Sequence, residues 1–414
     1  MPDSESCVQI TFYVEDIQNA GIQYWEDDAR HYDLGSETRR RLANLRLVSK
    51  AFCYSASPRL FRHVIARLGS SSTRSPLARL TEISKSPYAR YVRQIDFGLN
   101  VYASSTTSRL YVEDLAGLLS SYLVRFANLK ALEFHKPPSA LPPEETRLYI
   151  HSIIAAFRYV PLPNLEELVI HFPITHNFGQ FLPQKTSALQ IPIINILQQL
   201  RHLELYVCAF TNRHYERCWA TPILPENAAL PNKTHASYLF RMIEPAINLR
   251  SLSIGSSDIL NLDPVKFSPA LRLRSLSLFS VSISAHKLLS LVDQSRESVR
   301  YIDLELVKLN SGTWHHVLLE MSKLPRLTDF AIHSSGYSLT GSSSHLVPER
   351  LPERHNPFSI ETYETLAIPA LGNLQRAVNA NRVTAGLQPF SESEYNYIGE
   401  PSLESRIQRV GLGP

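Results

Sequence analysis

The spacing Leu-x-x-Leu-x-Leu, seen in Leu200-Arg201-His202-Leu203-Glu204-Leu205, recurs along this 414-residue chain and constrains its fold more than any other feature. Eight apolar triplets carry it: Val92/Ile95/Phe97, Leu129/Leu132/Phe134, Leu165/Leu168/Ile170, Leu200/Leu203/Leu205, Leu249/Leu252/Ile254, Leu273/Leu276/Leu278, Val299/Ile302/Leu304 and Leu327/Phe330/Ile332. In each, the last two apolar residues stand two apart, which puts both on one face of a short strand, and the first sits on the turn leading in. The closest triplets start 24 residues apart (Leu249 to Leu273) and the most distant 49 (Leu200 to Leu249). Most of these intervals hold a segment of helical period, which predicts helices near 110–126, 144–159, 189–199, 235–247, 285–294 and 313–323. Each unit is then a strand followed by a helix that returns to a parallel neighbour, with the right-handed crossover such connections adopt.

The fold class expected is α/β, and the pattern resembles the leucine-rich repeat, irregular in length and without the Asn or Cys usual after the strand. The resemblance implies a solenoid of about eight strand-helix units spanning 81–333. A repeat array also accommodates 414 residues without the single oversized core that a compact domain of that length needs. The net charge of +4 shows no strong bias towards nucleic acid or membrane. Cys7, Cys53, Cys208 and Cys218 have neither Cys-x-x-Cys spacing nor the density of a secreted scaffold, so the expectation is a reducing compartment, cytoplasmic or nuclear. Asp3, Glu5, Glu15 and Asp16 stand where a secretory leader carries basic and apolar residues, and no run of about eighteen apolar residues occurs.

In chain order, residues 1–38 give no clear reading. From 39 to 68 the character is helical: Leu42, Leu45, Val48 and Phe52 recur at helix spacing, Ala56-Ser57-Pro58 breaks the chain, and Pro58 to Val64 reads as a second helix-like segment. Leu45-Arg46-Leu47-Val48-Ser49-Lys50-Ala51-Phe52 followed by Pro58-Arg59-Leu60-Phe61-Arg62-His63-Val64 resembles the second half of an F-box, as found in F-box proteins of filamentous fungi. Tyr88 to Ile95 resembles the segment that follows the box there. The Leu-Pro-x-Glu start of an F-box has no counterpart in residues 1–41. The resemblance implies binding of a Skp-type adaptor of a cullin-RING ubiquitin ligase through Leu45, Val48, Phe52, Leu60 and Phe61, with the repeats presenting a substrate. Residues 69–80 read as a linker and the start of the array. Thr211 to Thr234 reads as a projecting loop, 334–357 as a loop or linker, 358–389 as a C-terminal cap interrupted at Pro369, and 390–414 as a tail.

No catalytic motif emerges: the chain lacks Gly-x-Gly-x-x-Gly, Gly-x-x-x-x-Gly-Lys, Gly-x-Ser-x-Gly and His-Glu-x-x-His. The expectation is a protein without catalytic residues, cofactor or metal. His316 and Glu320 share a helix face beside His315, but two ligands do not make a site and a polar helix surface accounts for them. Cys208 and Cys218 flank His214 without a base held near either thiol, and read as a strand end and loop.

A sharper signal lies in the residues that alternate with the triplets and so share the opposite sheet face. Asp96, Glu133, Glu167, Glu204, Asp303, Glu305 and Asp329 are acidic, His135, His171 and His202 lie among them, Tyr206, Phe279 and Tyr301 are candidate aromatic anchors, and Lys and Arg are missing from these positions. A field of one sign across such a face attracts the opposite charge, so these residues are the expected substrate-binding set, for a basic protein segment and not for nucleic acid. The alternative reading is a polar sheet surface that carries its acids by chance. The alternative for the whole chain is a leucine-rich-repeat scaffold that binds proteins outside any ligase.

Overall fold

In a computed structural model, the residues described are 36–69, 75–99, 104–138, 141–182, 190–207, 226–339, 341–347, 360, 362 and 364–391, by backbone alone at 36, 226–233 and 258. They form an α/β structure whose strands pair in parallel. Two compact units divide the chain: one takes the residues up to Ile170 with 183–196, the other His171–Leu182 with Leu197 onwards. No helix among the described residues is long and apolar enough to cross a membrane.

The first unit opens with helices α1 (Ser36–Val48) and α2 (Lys50–Leu60), then strand β1 (His63–Leu68), α3 (Pro76–Lys85), a 3-10 turn at Pro87–Tyr91, β2 (Gln94–Leu99), α4 (Ser105–Arg125), β3 (Ala131–Phe134), α5 (Pro143–Tyr159) and β4 (Glu167–Phe172). Pairing is in register, with His63 beside Gln94, Asp96 beside Glu133 and Ala131 beside Glu167. The triplet residues of β2 to β4 are buried, and Phe134 meets Phe157 of α5 edge-on at 5.9 Å, so the apolar face of the strands packs on the helices. Helix tyrosines tie down the strand ends. Tyr111 of α4 donates to the Ala66 carbonyl at 2.6 Å, and Tyr149 of α5 donates to the His135 carbonyl at 2.9 Å. Burial pushes both phenols up, which keeps them neutral donors.

Beyond a single helical turn α6 (His176–Gly179) and helix α7 (Ile193–Gln199), whose residues are shared between the units, the second unit contains β5 (His202–Val207), α8 (Glu226–Ile243), β6 (Ser251–Asn261), β7 (Ser275–Ile283), α9 (Ala285–Gln294), β8 (Tyr301–Glu305), β9 (Lys308–Leu309), α10 (Trp314–Met321), β10 (Asp329–His333), β11 (Gly336–Tyr337) and α11 (Ala367–Thr384). His202, Ser251, Ser275, Tyr301 and Asp329 form one register row. In both units one device joins neighbours: the carbonyl just before a strand accepts two N–H groups from the next. Arg62 receives Arg93 and Gln94, Arg93 receives Lys130 and Ala131, Arg250 receives Arg274 and Ser275, and Arg274 receives Arg300 and Tyr301, at 2.6–3.1 Å. Asparagines preceding three triplets reinforce it, since Asn128, Asn164 and Asn248 donate to Arg90, Ala127 and Gln198 carbonyls at 2.8, 2.9 and 2.6 Å.

Several expectations change. Helix α2 runs through Pro58 to Leu60, and His63 already begins a strand, so the second helix-like segment does not form. The break falls at Ser49, whose Oγ accepts from Phe52 N at 3.3 Å and caps α2. Val64, Ala66 and Leu68 are buried in alternation with exposed Ile65 and Arg67, so β1 is a further strand of the array. The expected loop 211–234 is helical from Glu226, while 211–225 lie outside the described residues. Part of the expected linker after 334 belongs to the core: Tyr337 is buried, accepting from Trp314 N at 2.9 Å and donating to Glu364, and Trp314 Nε1 donates to the Gly336 carbonyl at 2.7 Å. Pro369 sits in the first turn of α11, where a missing N–H costs nothing, so it does not interrupt the cap. That helix is held by Asn381, which donates to Leu324 and Leu327 carbonyls, and by buried Arg382, which donates to the Thr328 carbonyl at 3.1 Å and lies 3.7 Å over Phe390. Residues 1–35 and 392–414 lie outside the described residues.

Tyr149→Phe strands the His135 carbonyl in the first unit without changing volume. It should lower stability in urea unfolding by about 1–3 kcal/mol, whereas Tyr159→Phe at the exposed end of α5 should fall within about 0.5 kcal/mol of wild type.

Candidate functional site

Two surfaces collect the residues singled out above. The first is the α1–α2 pair. Leu42 and Ala56 are fully buried between the helices, with Leu45 and Leu60 packed against them. Phe52 is 7% exposed, and Phe61 stacks on Tyr88 with ring centres 4.5 Å apart and the Arg46 guanidinium 4.8 Å from each ring. Of the five expected adaptor contacts, Leu45 and Leu60 pack between the helices, Phe52 is buried, Phe61 is half-buried against Tyr88, and Val48 alone is exposed. The cap at Ser49 explains this, because it changes the helix phase between Val48 and Phe52. What the pair presents to solvent is Leu47 at 86%, Val48 at 66% and Tyr54 at 72% exposure.

The second surface is the sheet face opposite the triplets. In the first unit it holds a buried polar cluster. Asp96 Oδ2 accepts from His63 Nε2 at 2.8 Å and from Arg67 Nη2 at 3.0 Å; the same Arg67 nitrogen lies 3.4 Å from Glu133 Oε2. Gln94 Nε2 bridges the other two carboxylate oxygens, Asp96 Oδ1 at 3.2 Å and Glu133 Oε1 at 2.9 Å. His135 Nε2 stands 3.2 Å from Glu133 Oε2. Burial opposes ionisation of Asp96, but the His63 hydrogen bond and the charges of His63 and Arg67 outweigh it and hold the carboxyl below its ordinary value. His63 and Arg67 come from β1, the strand the triplet pattern does not reveal. Two of the seven acids are thus matched internally, so in the first unit the face expected to be uniformly acidic is charge-paired.

In the second unit the acids are spread over β5, β8 and β10. Glu204 pairs with His171 at 2.9 Å, and Tyr301 donates to Asp303 at 3.2 Å. Glu305 lies beside Phe279 on one side and His333 on the other, and Tyr301 beside Asp329. Tyr206 packs between His171 and Phe279, with ring centres 5.4 and 5.7 Å away. Gly255 makes room for it, since a Cβ there would come within 2.3 Å of the Tyr206 ring. Between Glu204 and Asp303 the register row holds only Ser253 and Ser277, a low floor three strand spacings wide, about 14 Å. His202 is buried at the start of that face, and Glu167, on β4 of the first unit, is half-buried beside Ala131. Sequence alternation missed one charged feature. Arg201, Arg250, Arg274 and Arg300 each immediately precede a strand, so four neighbouring strands share a basic residue at their entry.

Of the metal patterns considered, Glu320 is engaged by Lys323 at 2.6 Å on an exposed helix face, and Cys208, His214 and Cys218 lie outside the described residues. Asp96, Glu133 and His135, by contrast, offer ligand atoms that all lie within 4.8 Å of one another. In comparisons with known proteins, the chain matches no family model and no curated protein.

The depressed Asp96 carboxyl stabilises the folded chain above the ordinary carboxylate pKa near 4, and that contribution disappears as pH falls through the lower folded value. Asp96→Asn should therefore cost about 1.5–3 kcal/mol at pH 7, because the charge-assisted hydrogen bonds from buried His63 and half-exposed Arg67 are lost while Arg67 can turn to water. The difference from wild type in thermal unfolding should shrink steadily below about pH 4.

Proposed function

We propose that this protein is the substrate-recognition subunit of a cullin-RING ubiquitin ligase, in which α1 and α2 hold a Skp-type adaptor and a leucine-rich-repeat-like solenoid receives a protein substrate. The observation that carries the reading is the outward apolar group Leu47, Val48 and Tyr54 on a two-helix element directly ahead of the strand-helix repeats. Several large apolar side chains exposed on one small element are the kind of surface that a partner covers. In this reading Leu42, Leu45, Ala56 and Leu60 hold the two helices together, while Leu47, Val48 and Tyr54 make the contact.

Regular in-register parallel pairing, and the same carbonyl-to-two-N–H junction at successive strands, support the solenoid reading. For substrate, the second-unit face favours a basic segment: Glu204, Asp303, Glu305 and Asp329 surround the serine floor, and Tyr206 with Phe279 forms an aromatic wall at one end. In this reading ubiquitin transfer is carried out by the ligase, and the chain supplies positioning alone.

The test is co-purification of the full chain with a Skp-type adaptor. Leu47→Glu with Val48→Glu should reduce adaptor capture at least tenfold while leaving the far-UV circular dichroism unchanged. Equal capture by wild type and variant, or no capture by wild type, would favour the scaffold reading instead.

A further inference from the structure

Among the titratable groups outside the proposed adaptor contact, the cluster on β1 to β3 is built in a way that ion pairing alone does not require. Gln94 Nε2 holds one oxygen of each carboxylate, Asp96 Oδ1 at 3.2 Å and Glu133 Oε1 at 2.9 Å, so Oδ2 and Oε2 both turn to a shared centre. His135 Nε2 reaches the same centre, 3.2 Å from Glu133 Oε2. Its ring occupies space over β2 that exists because residue 98 is glycine: a Cβ there would stand 3.0 Å from His135 Cβ. The His135 backbone is fixed in turn, its N–H donating to the Phe97 carbonyl at 2.9 Å and its carbonyl accepting from Tyr149. A single nitrogen, Arg67 Nη2, bridges Asp96 Oδ2 and Glu133 Oε2 at 3.0 and 3.4 Å. That is the position a cation shared by the two carboxylates takes. Arg67 itself is 43% exposed, so its side chain can swing into water, whereas the carboxylates are buried and cannot.

We propose that Asp96, Glu133 and His135 bind a divalent transition-metal ion in exchange for the Arg67 guanidinium. Two carboxylate oxygens and one imidazole nitrogen, with a position left for water, form a donor set suited to zinc. Their atoms lie within 4.8 Å of one another, so bonds of about 2.0–2.2 Å are reached by small side-chain movements. The charges also balance, since the ion's two positive charges meet two carboxylates and release one guanidinium to solvent. Around the ion, Gln94 fixes the carboxylate planes, and His63 donates from Nε2 to Asp96 Oδ2, with its Nδ1 facing Arg39 Nη2 at 3.5 Å. The site does not depend on the ligase reading, and its test needs no adaptor.

The full chain, stripped with a chelator, is titrated with Zn²⁺ by calorimetry and assayed for retained zinc after dialysis. The proposal expects one ion per chain and a raised melting temperature. His135→Ala, a half-exposed change that leaves the carboxylates in place, should abolish both effects while keeping the melting temperature of the metal-free wild type. Arg67→Met removes the competing cation and should bind zinc at least tenfold more tightly. Absence of stoichiometric zinc in the wild type overturns the proposal, as does zinc retained unchanged in His135→Ala. Unchanged or weaker binding in Arg67→Met overturns the exchange with arginine.

Discussion

A strand of four to six residues can neither bury its apolar face nor satisfy its backbone alone, and the rest of this structure follows from how that is resolved. Each triplet places two side chains towards the helices, and within each unit the triplet strands pair in parallel with no shift between the triplets. Where register does slip, between Gly255 and Leu260 on β6, the chain has already passed the triplet. The junction adds to the ladder at most of these strands. A carbonyl that accepts two N–H groups ties the entry of the next strand to the end of the preceding turn.

Parallel register has a consequence for chemistry. Residues of equal parity on neighbouring strands are held about 4.8 Å apart in rows, so side chains distant in sequence become neighbours without any loop having to place them. Asp96 meets Glu133 in this way, and Phe279 meets Glu305. Small residues within the rows matter as much as large ones. Gly98 admits the His135 ring and Gly255 admits the Tyr206 ring, so two glycines decide where an imidazole and a phenol lie on the face.

The triplet strands were legible because their spacing combines period two with an apolar lead-in, and α9 was legible to the residue because Leu288, Leu291 and Val292 carry a clear helical stripe behind Ser284, whose Oγ caps the helix at Lys287. β1 was not, because Ala66 stands where the other strands carry a large apolar residue, Phe97 on its neighbour β2. Missing β1 meant missing Arg67 and His63, and hence the neutralisation of Asp96 and Glu133. The break between α1 and α2 was misplaced for a different reason: Leu42, Leu45, Val48 and Phe52 keep helical spacing straight through a point where Ser49 ends one helix and caps the next. A serine three residues before Phe52 was the available signal, outweighed by apolar periodicity. The burial of Tyr337 depends on Trp314 and Glu364, contacts that no local pattern encodes.

The proposed function turns on whether the two-helix element α1–α2, with exposed Leu47, Val48 and Tyr54, is an adaptor contact. Hydrogen exchange on the full chain, with and without a Skp-type adaptor, reads it directly. The account predicts slowed exchange in peptides covering Leu42 to Leu60 on adding the adaptor, with the strands from Gln94 to His333 unchanged. Unchanged exchange across Leu42 to Leu60 in the presence of saturating adaptor would contradict it.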